Sequence, residues 1–306
     1  MSLEVIFLGT AASVPTVDRA LPSVVVKRGN EIIMFDCGEG AQRQMIRARV
    51  GFHKKMKILV SHMHGDHVLG LPGVLQTMSL LDRSRELEVY GPVGIKAFVR
   101  AIQRTVQFVL TFPLEIHEIK SEGVIYDEEE YQIKATRTSH VIPSIGYALI
   151  EKPRPGRFDT EKAKTLGVPE GPLWSLLQHG QKVRGPSGKM ISPNRVVGAS
   201  RPGRKIVYSG DTRPTDRLVR LAQNADLLIH EATLSDELLE RAEEDGHSTP
   251  SQAAEIAKKA LVKTLVLTHV SSRYKATNEL LQQAKKIFPN VEVATDFMKL
   301  ELPLLE

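Results

Sequence analysis

Residues 56–73, MKILVSHMHGDHVLGLPG, place four potential metal ligands, His62, His64, Asp66 and His67, within six residues. They follow directly on an apolar run, Met56–Val60, that reads as a strand. Strand ends in layered α/β folds present loops from a rigid base, which is where such folds bind ligands. Three protonated imidazoles this close together would repel one another, and a metal relieves that by holding them neutral. Imidazole with carboxylate suits a borderline-soft dication such as Zn²⁺ better than Mg²⁺. The pattern therefore predicts a metal-bearing α/β chain.

Other pieces of the sequence fit that prediction. Leu3–Leu8, Glu31–Phe35, Leu87–Tyr90, Tyr131–Ala135, Ile145–Ile150, Lys205–Tyr208, Asp226–Ile229, Thr264–Thr268 and Val291–Ala294 also read as strands. Helical periodicity covers Val68–Leu81, Gly94–Arg104, Asp216–Gln223, Ser235–Asp245, Pro250–Ala260 and Asn278–Ile287. Asp216, Ser235, Thr249 and Thr277 are placed to cap or open four of them. Strands in this number, with helices after both groups, predict two packed sheets with helices outside each. Strand, histidine-bearing loop and helix recur at Ile58–His67 and around His269, the hint of an internal repeat.

His140, Asp211 and His269 each stand a few residues beyond an apolar strand, in RTSHVIPSIG, KIVYSGDT and TLVLTHV. That shared placement brings them to one rim of the sandwich, although each alone is equally a surface or loop residue. His53, His117 and His179 have no such context and read as surface or structural.

The single cysteine, Cys37, excludes a disulfide framework and any cysteine-built zinc site, and reads as a buried inert thiol. Gly38 and Gly40 beside it read as turn residues. The opening MSLEVIFLGT reads as a strand, and no apolar run approaches the roughly 18–20 residues of a spanning helix. A cytoplasmic protein without membrane contact is expected. Charge is uneven: residues 151–205 hold twelve basic and four acidic side chains, net +8, leaving −3 for the rest. The same stretch holds eight glycines and seven prolines, which break regular elements and predict an arm or ordered loops. A basic arm suits a polyanion, since phosphate neutralisation is a sequence-independent source of affinity. A solvated linker is the alternative. Phe158 and Trp174 within it could stack on bases or pack on each other.

FLGTAASVPTVDRALPS, FDCGEGAQRQ, SHMHGDHVLGLPG, RTSHVIPSIGY, YSGDT, HEAT at 230–233 and HST at 247–249 occur in one order across most of the chain. In these the chain resembles the metallo-β-lactamase-fold hydrolases and, within them, the short form of the tRNase Z family. H-x-H-x-D-H is common to the superfamily; DCGEG, HEAT, HST and the basic insertion narrow the resemblance. It implies an α/β, four-layer αβ/βα sandwich, a single domain over 1–306 with an inserted arm over 151–205. It further implies a zinc-dependent endoribonuclease that removes the 3′ trailer from tRNA precursors, leaving a 3′-hydroxyl on the tRNA and a 5′-phosphate on the trailer. A homodimer is implied as well. By the resemblance one of two Zn²⁺ is held by His62, His64 and His140, and the other by Asp66, His67 and His269, with Asp211 bridging. Mn²⁺ or Fe²⁺ could replace zinc. The arm corresponds to the family's tRNA-gripping exosite, with Arg154, Arg157, Lys162, Lys164, Lys182 and Arg184 as candidate contacts.

Two cations can clamp the attacking and leaving oxygens of a phosphodiester displacement. Asp66 is a ligand that could also take the proton of the nucleophilic water. The leaving 3′ oxygen needs a proton, for which His247 is the candidate donor, oriented by Glu231, with His230 in support or structural. His247 could instead open the helix that follows it, and Glu231 could be a loop salt bridge. A small-molecule phosphodiesterase, or another hydrolase on the same scaffold, needs the cluster but no basic arm. A silent RNA-binding module would be expected to lack ligands.

Overall fold

The computed structural model describes residues 2–185 and 188–304. Two seven-stranded sheets dominate it. The first runs in the order Lys299–Glu301, Leu3–Gly9, Ser23–Arg28, Glu31–Phe35, Lys55–Leu59, Leu87–Pro92, Leu114–Ile119. Its first four strands are antiparallel neighbours and the last four are parallel. The second runs Val291–Val293, Thr264–Thr268, Leu227–Glu231, Lys205–Tyr208, Ser144–Glu151, Tyr131–Thr138, Gly123–Asp127. Here the first four are parallel and Lys205–Tyr208 pairs antiparallel with Ser144–Glu151.

Alternation of side chains along each strand builds the layers. Leu3, Val5 and Phe7 join Ile33, Phe35, Tyr147, Tyr208 and Ile229 in a buried cluster to which both sheets contribute. Ile6 and Leu8 face the other way, into a cluster with Leu71, Val74, Met78 and Ile95 from helices Gly70–Leu80 and Ile95–Val106. Val207, Leu228 and Leu265 of the second sheet likewise meet Leu218, Ala254 and Ala284 from three further helices. Helix, sheet, sheet, helix is the resulting order, a four-layer α/β sandwich.

Departures from the expected elements are local. Val68–Leu81 forms two pieces, Gly65–Val68 and Gly70–Leu80. Strands Ser23–Arg28, Leu114–Ile119 and Gly123–Asp127 and helix Ala41–Arg47 went unread in the sequence. Thr249 caps its helix through a full capping box with Gln252. Thr215, rather than Asp216, caps the helix Asp216–Ala222; Asp216 occupies the first turn, where an acid favours the helix dipole. Neither Ser235 nor Thr277 makes a side-chain cap bond.

The chain divides into two compact units, residues 2–150 with 205–303, and Glu151–Arg204. The second is more than a set of loops. Helices Thr160–Thr165 and Pro172–Gln178 close over Ala163, Val168, Leu177, Val183, Ile191 and Val196, a small core of its own. Trp174 packs on Phe158 with ring centroids 5.3 Å apart and donates Nε1–H to the Val168 carbonyl. Arg204 is buried and doubly bonded to Glu151, at 2.7 and 2.9 Å.

Candidate metal centre and catalytic residues

Strand ends deliver every residue of the centre. His62, His64, Asp66 and His67 follow Lys55–Leu59, His140 follows Tyr131–Thr138, Asp211 follows Lys205–Tyr208, and His269 follows Thr264–Thr268. Their ligand atoms converge. His64 Nδ1 lies 3.1 Å from His62 Nε2 and 3.2 Å from His140 Nε2. His67 Nε2 lies 3.2 Å from His269 Nε2, and both are 3.4 Å from Asp66 Oδ2. Asp211 Oδ2 sits between the two groups, 3.7 Å from His62 Nε2 and 3.4 Å from both His67 and His269. Seven residues from four separate segments thus form two adjoining donor sets with one carboxylate between them.

Hydrogen-bond chemistry shows what those sets are built to hold. Gly246 offers His140 Nδ1 only a carbonyl, 2.8 Å away, so Nδ1 carries the proton and Nε2 turns a lone pair inward. Ser61 Oγ donates to Asp36 Oδ2 at 2.8 Å and so receives the proton of His62 Nδ1 at 2.9 Å. His67 Nδ1 donates to Asp36 Oδ2 at 2.7 Å. Three imidazoles are therefore fixed with lone pairs facing carboxylate oxygens and one another, an arrangement that repels itself unless a cation sits among them. For a tetrahedral ion with ligands at about 2.0–2.1 Å, neighbouring donor atoms fall about 3.3 Å apart. The observed spacings match, so the residues fit divalent metal.

Electrostatics favour neutral His62, His64 and His140, whereas at His67 burial is outweighed by the Asp211 and Asp36 carboxylates, which raise the pKa well above the ordinary imidazole value, the pull of a site that wants positive charge. Burial pushes His62 down to about 2, with His67 next in effect, and burial likewise lowers His64 and His140. Burial also opposes charge on Asp211, but His269 and His67 outweigh it and hold the carboxylate well below its usual range. Asp66 is held down in the same way by His269 and His67 against its burial.

His247 stands beside these donors, its ring 5.0 Å from that of His140 and its Nδ1 2.9 Å from Glu231 Oε1. Burial would lower its pKa, yet Glu231 and then Asp211 raise it to about 9. Glu231 is itself buried and charged, accepting from the Thr212 amide at 2.9 Å and from Thr233 Oγ1 at 2.7 Å. His230, its neighbour on the strand, is buried with Nδ1 on the Glu231 carbonyl at 2.6 Å and joins no donor group. His117 lies apart, stacked on Tyr90, and Cys37 is buried with its thiol pushed up by burial.

Several supporting residues escaped the sequence reading. Asp36 accepts from Ser61 N, Ser61 Oγ, His67 Nδ1 and Tyr208 OH, all within 2.8 Å. The Ser13 amide donates to Asp66 Oδ2 at 2.9 Å, and Thr233 Oγ1 pairs with His269 Nδ1 at 2.8 Å. Ser13, Asp36 and His269 all adopt left-handed backbone, at φ 53°, 56° and 57°. Strain of this kind in non-glycine residues gathers where surrounding structure fixes a functional geometry. Gly38 has a separate reason to be glycine: a Cβ would come within 2.6 Å of the Asp66 carbonyl. Of the arm candidates, Arg157, Lys162, Lys164, Lys182 and Arg184 are exposed and Arg154 is half-buried, none of them part of the metal centre.

Comparison with known proteins supplies the family. The β-lactamase superfamily domain matches residues 179–270, and the family of the anti-Pycsar protein Apyc1 matches residues 3–154. Ribonuclease Z of Methanosarcina acetivorans is 48% identical over 98% of both chains. Ribonuclease Z of Archaeoglobus fulgidus is 45% identical over 99% of this chain and 98% of its own. The crystal structure of human tRNase Z, short form, superposes with a TM-score of 0.74 at 33% identity, covering 98% of this chain and all of the human one. With the two-sheet sandwich and the converged histidine–aspartate cluster, these likenesses show that the chain belongs to the ribonuclease Z family of the β-lactamase superfamily.

Proposed function

We propose that the protein is the endoribonuclease that removes 3′ trailers from precursor tRNA, cutting near the discriminator nucleotide. The observation that carries this reading is the convergence of seven metal-ligand side chains beside a His247–Glu231 pair, in a chain of this family. His62, His64 and His140 would hold one dication, Asp66, His67 and His269 a second, and Asp211 would lie between them. Zinc suits these nitrogen and oxygen donors, with Mn²⁺ or Fe²⁺ as substitutes. Such ions would supply Lewis acidity to the scissile phosphate and its nucleophile.

The chain's own groups divide the proton traffic. Oδ2 of Asp66 is committed to the donor set and to the Ser13 amide, so Oδ1 takes the proton of the attacking water. As the water oxygen bonds phosphorus, the bond to the ribose 3′ oxygen breaks and that oxygen needs a proton. His247 gives it from Nε2, because Nδ1 is spent on Glu231, whose buried charge favours the imidazolium. Products are a 3′-hydroxyl on the tRNA and a 5′-phosphate on the trailer.

Exposed cations of the Glu151–Arg204 unit serve to grip the tRNA by its phosphates. Its aromatic pair is engaged in its own packing, which argues for a charge grip rather than base stacking. Ile46 and Leu80, exposed on the mutually packed helices Ala41–Arg47 and Gly70–Leu80, favour a homodimer. No helix among the described residues is long and apolar enough to cross a membrane; a precursor tRNA substrate supports a cytoplasmic location.

Incubation of metal-loaded protein with a 3′-extended precursor, with and without chelator, tests the proposal. One specific cut beside the acceptor stem, lost on chelation, is expected; Asp66→Ala should abolish it and leave precursor binding intact. Intact RNA, or scattered cuts that survive chelation, would overturn it.

A further inference from the structure

A cavity of about 450 Å³ opens next to the centre, walled by Val93, Ile119, Pro143 and Ile145, with Lys120, Glu122 and Arg137 as its charged groups. It shares its wall with the donor set. Thr138 Oγ1 and Ser144 Oγ, which line it, donate to the Asp211 carbonyl at 3.4 and 3.0 Å, and the Ile145 amide donates to the carbonyl of Ser61, next to His62. Arg137 and Thr138 also line an adjoining open cleft that reaches His140 and carries Asp216, Arg217 and Arg220, with Arg217 3.3 Å from Glu122, a pair that a phosphate would have to draw apart. An apolar chamber of this size with a few convergent polar groups suits one small planar ligand. Arginines along its outer side suit a phosphate chain entering from the centre.

Resting on the nuclease reading above, we propose that this cavity receives a single unstacked base of the RNA flanking the scissile phosphodiester, while Arg137, Arg217 and Arg220 hold the adjoining phosphates. The base belongs to the nucleotide immediately on the tRNA side or the trailer side of the cut. It adds a specificity subsite that reads the strand locally, separate in role from the grip on the tRNA body. Four basic side chains, Lys120, Arg137, Arg217 and Arg220, against Glu122 and Asp216 leave the two spaces net positive, which favours a nucleic-acid strand.

Ser121 lines the cavity from an exposed position, so Ser121→Trp fills it without touching the core. The measurement is kcat/KM for precursors carrying an intact nucleotide, or an abasic ribose, on either side of the cut. One abasic substitution should cost the wild type about tenfold, the worth of one base against a protein surface. Ser121→Trp should lose a similar factor on the intact RNA and nothing further on that abasic RNA; the position where the penalties merge identifies the nucleotide. Should Ser121→Trp fail to fold by thermal melting, Val93→Trp takes its place. Hydrolysis of bis(4-nitrophenyl) phosphate reports the centre alone, and a variant that loses both activities equally counts against the cavity. Unchanged RNA cleavage by a folded variant, or penalties that multiply at both positions, would overturn the inference. A wild type that never cuts the intact RNA would instead sink the nuclease reading itself.

Discussion

His67 donates Nδ1–H to Asp36 Oδ2 across 2.7 Å, and that bond decides which imidazole nitrogen faces the centre. Asp36 is wholly buried and holds the Ser61 hydroxyl as well, through which it also fixes the tautomer of His62. One carboxylate thereby orients two candidate ligands without joining either donor set.

Asp36→Asn should therefore weaken metal binding by about 10- to 100-fold, the usual cost of losing an outer partner of a ligating histidine. The amide keeps the volume and can still accept on one side, so folding should survive. Competition with a metal chelator measures the change, and affinity within twofold of the wild type would show that His67 needs no such orientation.

His247→Asn should lower turnover on precursor RNA by about 10²–10⁴-fold, the range of one general acid, while metal content stays at the wild-type level. A 4-nitrophenyl ester leaves without a proton, so its hydrolysis should fall far less. Glu231→Gln should show the same split in milder form. Equal losses on both substrates would mean that the pair supports the fold of the centre rather than protonating the leaving group.

The convergence of the histidine loop with Asp211 and His269 was legible because four candidate ligands lie within six residues, and because a polar residue just past an apolar strand marks a strand-end site. Asp36 obeys the same rule after Glu31–Phe35, but in DCGEG only Cys37 and the turn glycines Gly38 and Gly40 stood out. Ser13 and Thr233 could not be read at all, since their bonds to Asp66 and His269 join segments 53 and 36 residues apart. Strand Ser23–Arg28 was lost to its short, nearly continuous apolar run, SVVVKR, which carries no alternation. The Glu151–Arg204 unit hid its core for the opposite reason: six small and branched side chains lie scattered among glycines and prolines, with no period to follow.

Within that unit the cations are not equivalent. Arg157, Lys162, Lys164, Lys182 and Arg184 are exposed, whereas Arg204 is spent on Glu151. Neutralising the five should raise KM for precursor tRNA and flatten the salt dependence of binding, by up to about 0.9 in log–log slope for each phosphate left without its cation. Hydrolysis of a small phosphodiester should not change. Arg204→Ala should instead lower thermal stability, because it strands a buried carboxylate. Binding isotherms between 50 and 200 mM salt separate the two effects, and an unaltered slope in the five-fold variant would remove the phosphate grip.

In the middle of strand Lys55–Leu59, Lys57 is fully buried with Nζ 2.9 Å from Glu31 and 3.1 Å from Glu88, over the face of Tyr126 at 3.9 Å. Tyr131 OH donates to the same Glu31 oxygen at 2.6 Å, so the cluster is closed by hydrogen bonds. Burial works against the ammonium, but the bonds from Glu31 and Tyr126 outweigh it and raise its pKa. The folded state then holds its proton more tightly than the unfolded chain, whose lysines titrate near about 10.4. The corresponding stability is complete below that pH and drains away as pH rises through the raised folded value. Lys57→Met should destabilise the protein by about 3–5 kcal/mol near neutrality, since Glu31 loses its buried counter-charge. Above about pH 10.4 the gap between variant and wild type should narrow, because only the wild type still has that proton to lose. Urea unfolding at pH 7, 9 and 11 measures it, and a constant gap across the three would show that the ion pair is not what Lys57 contributes.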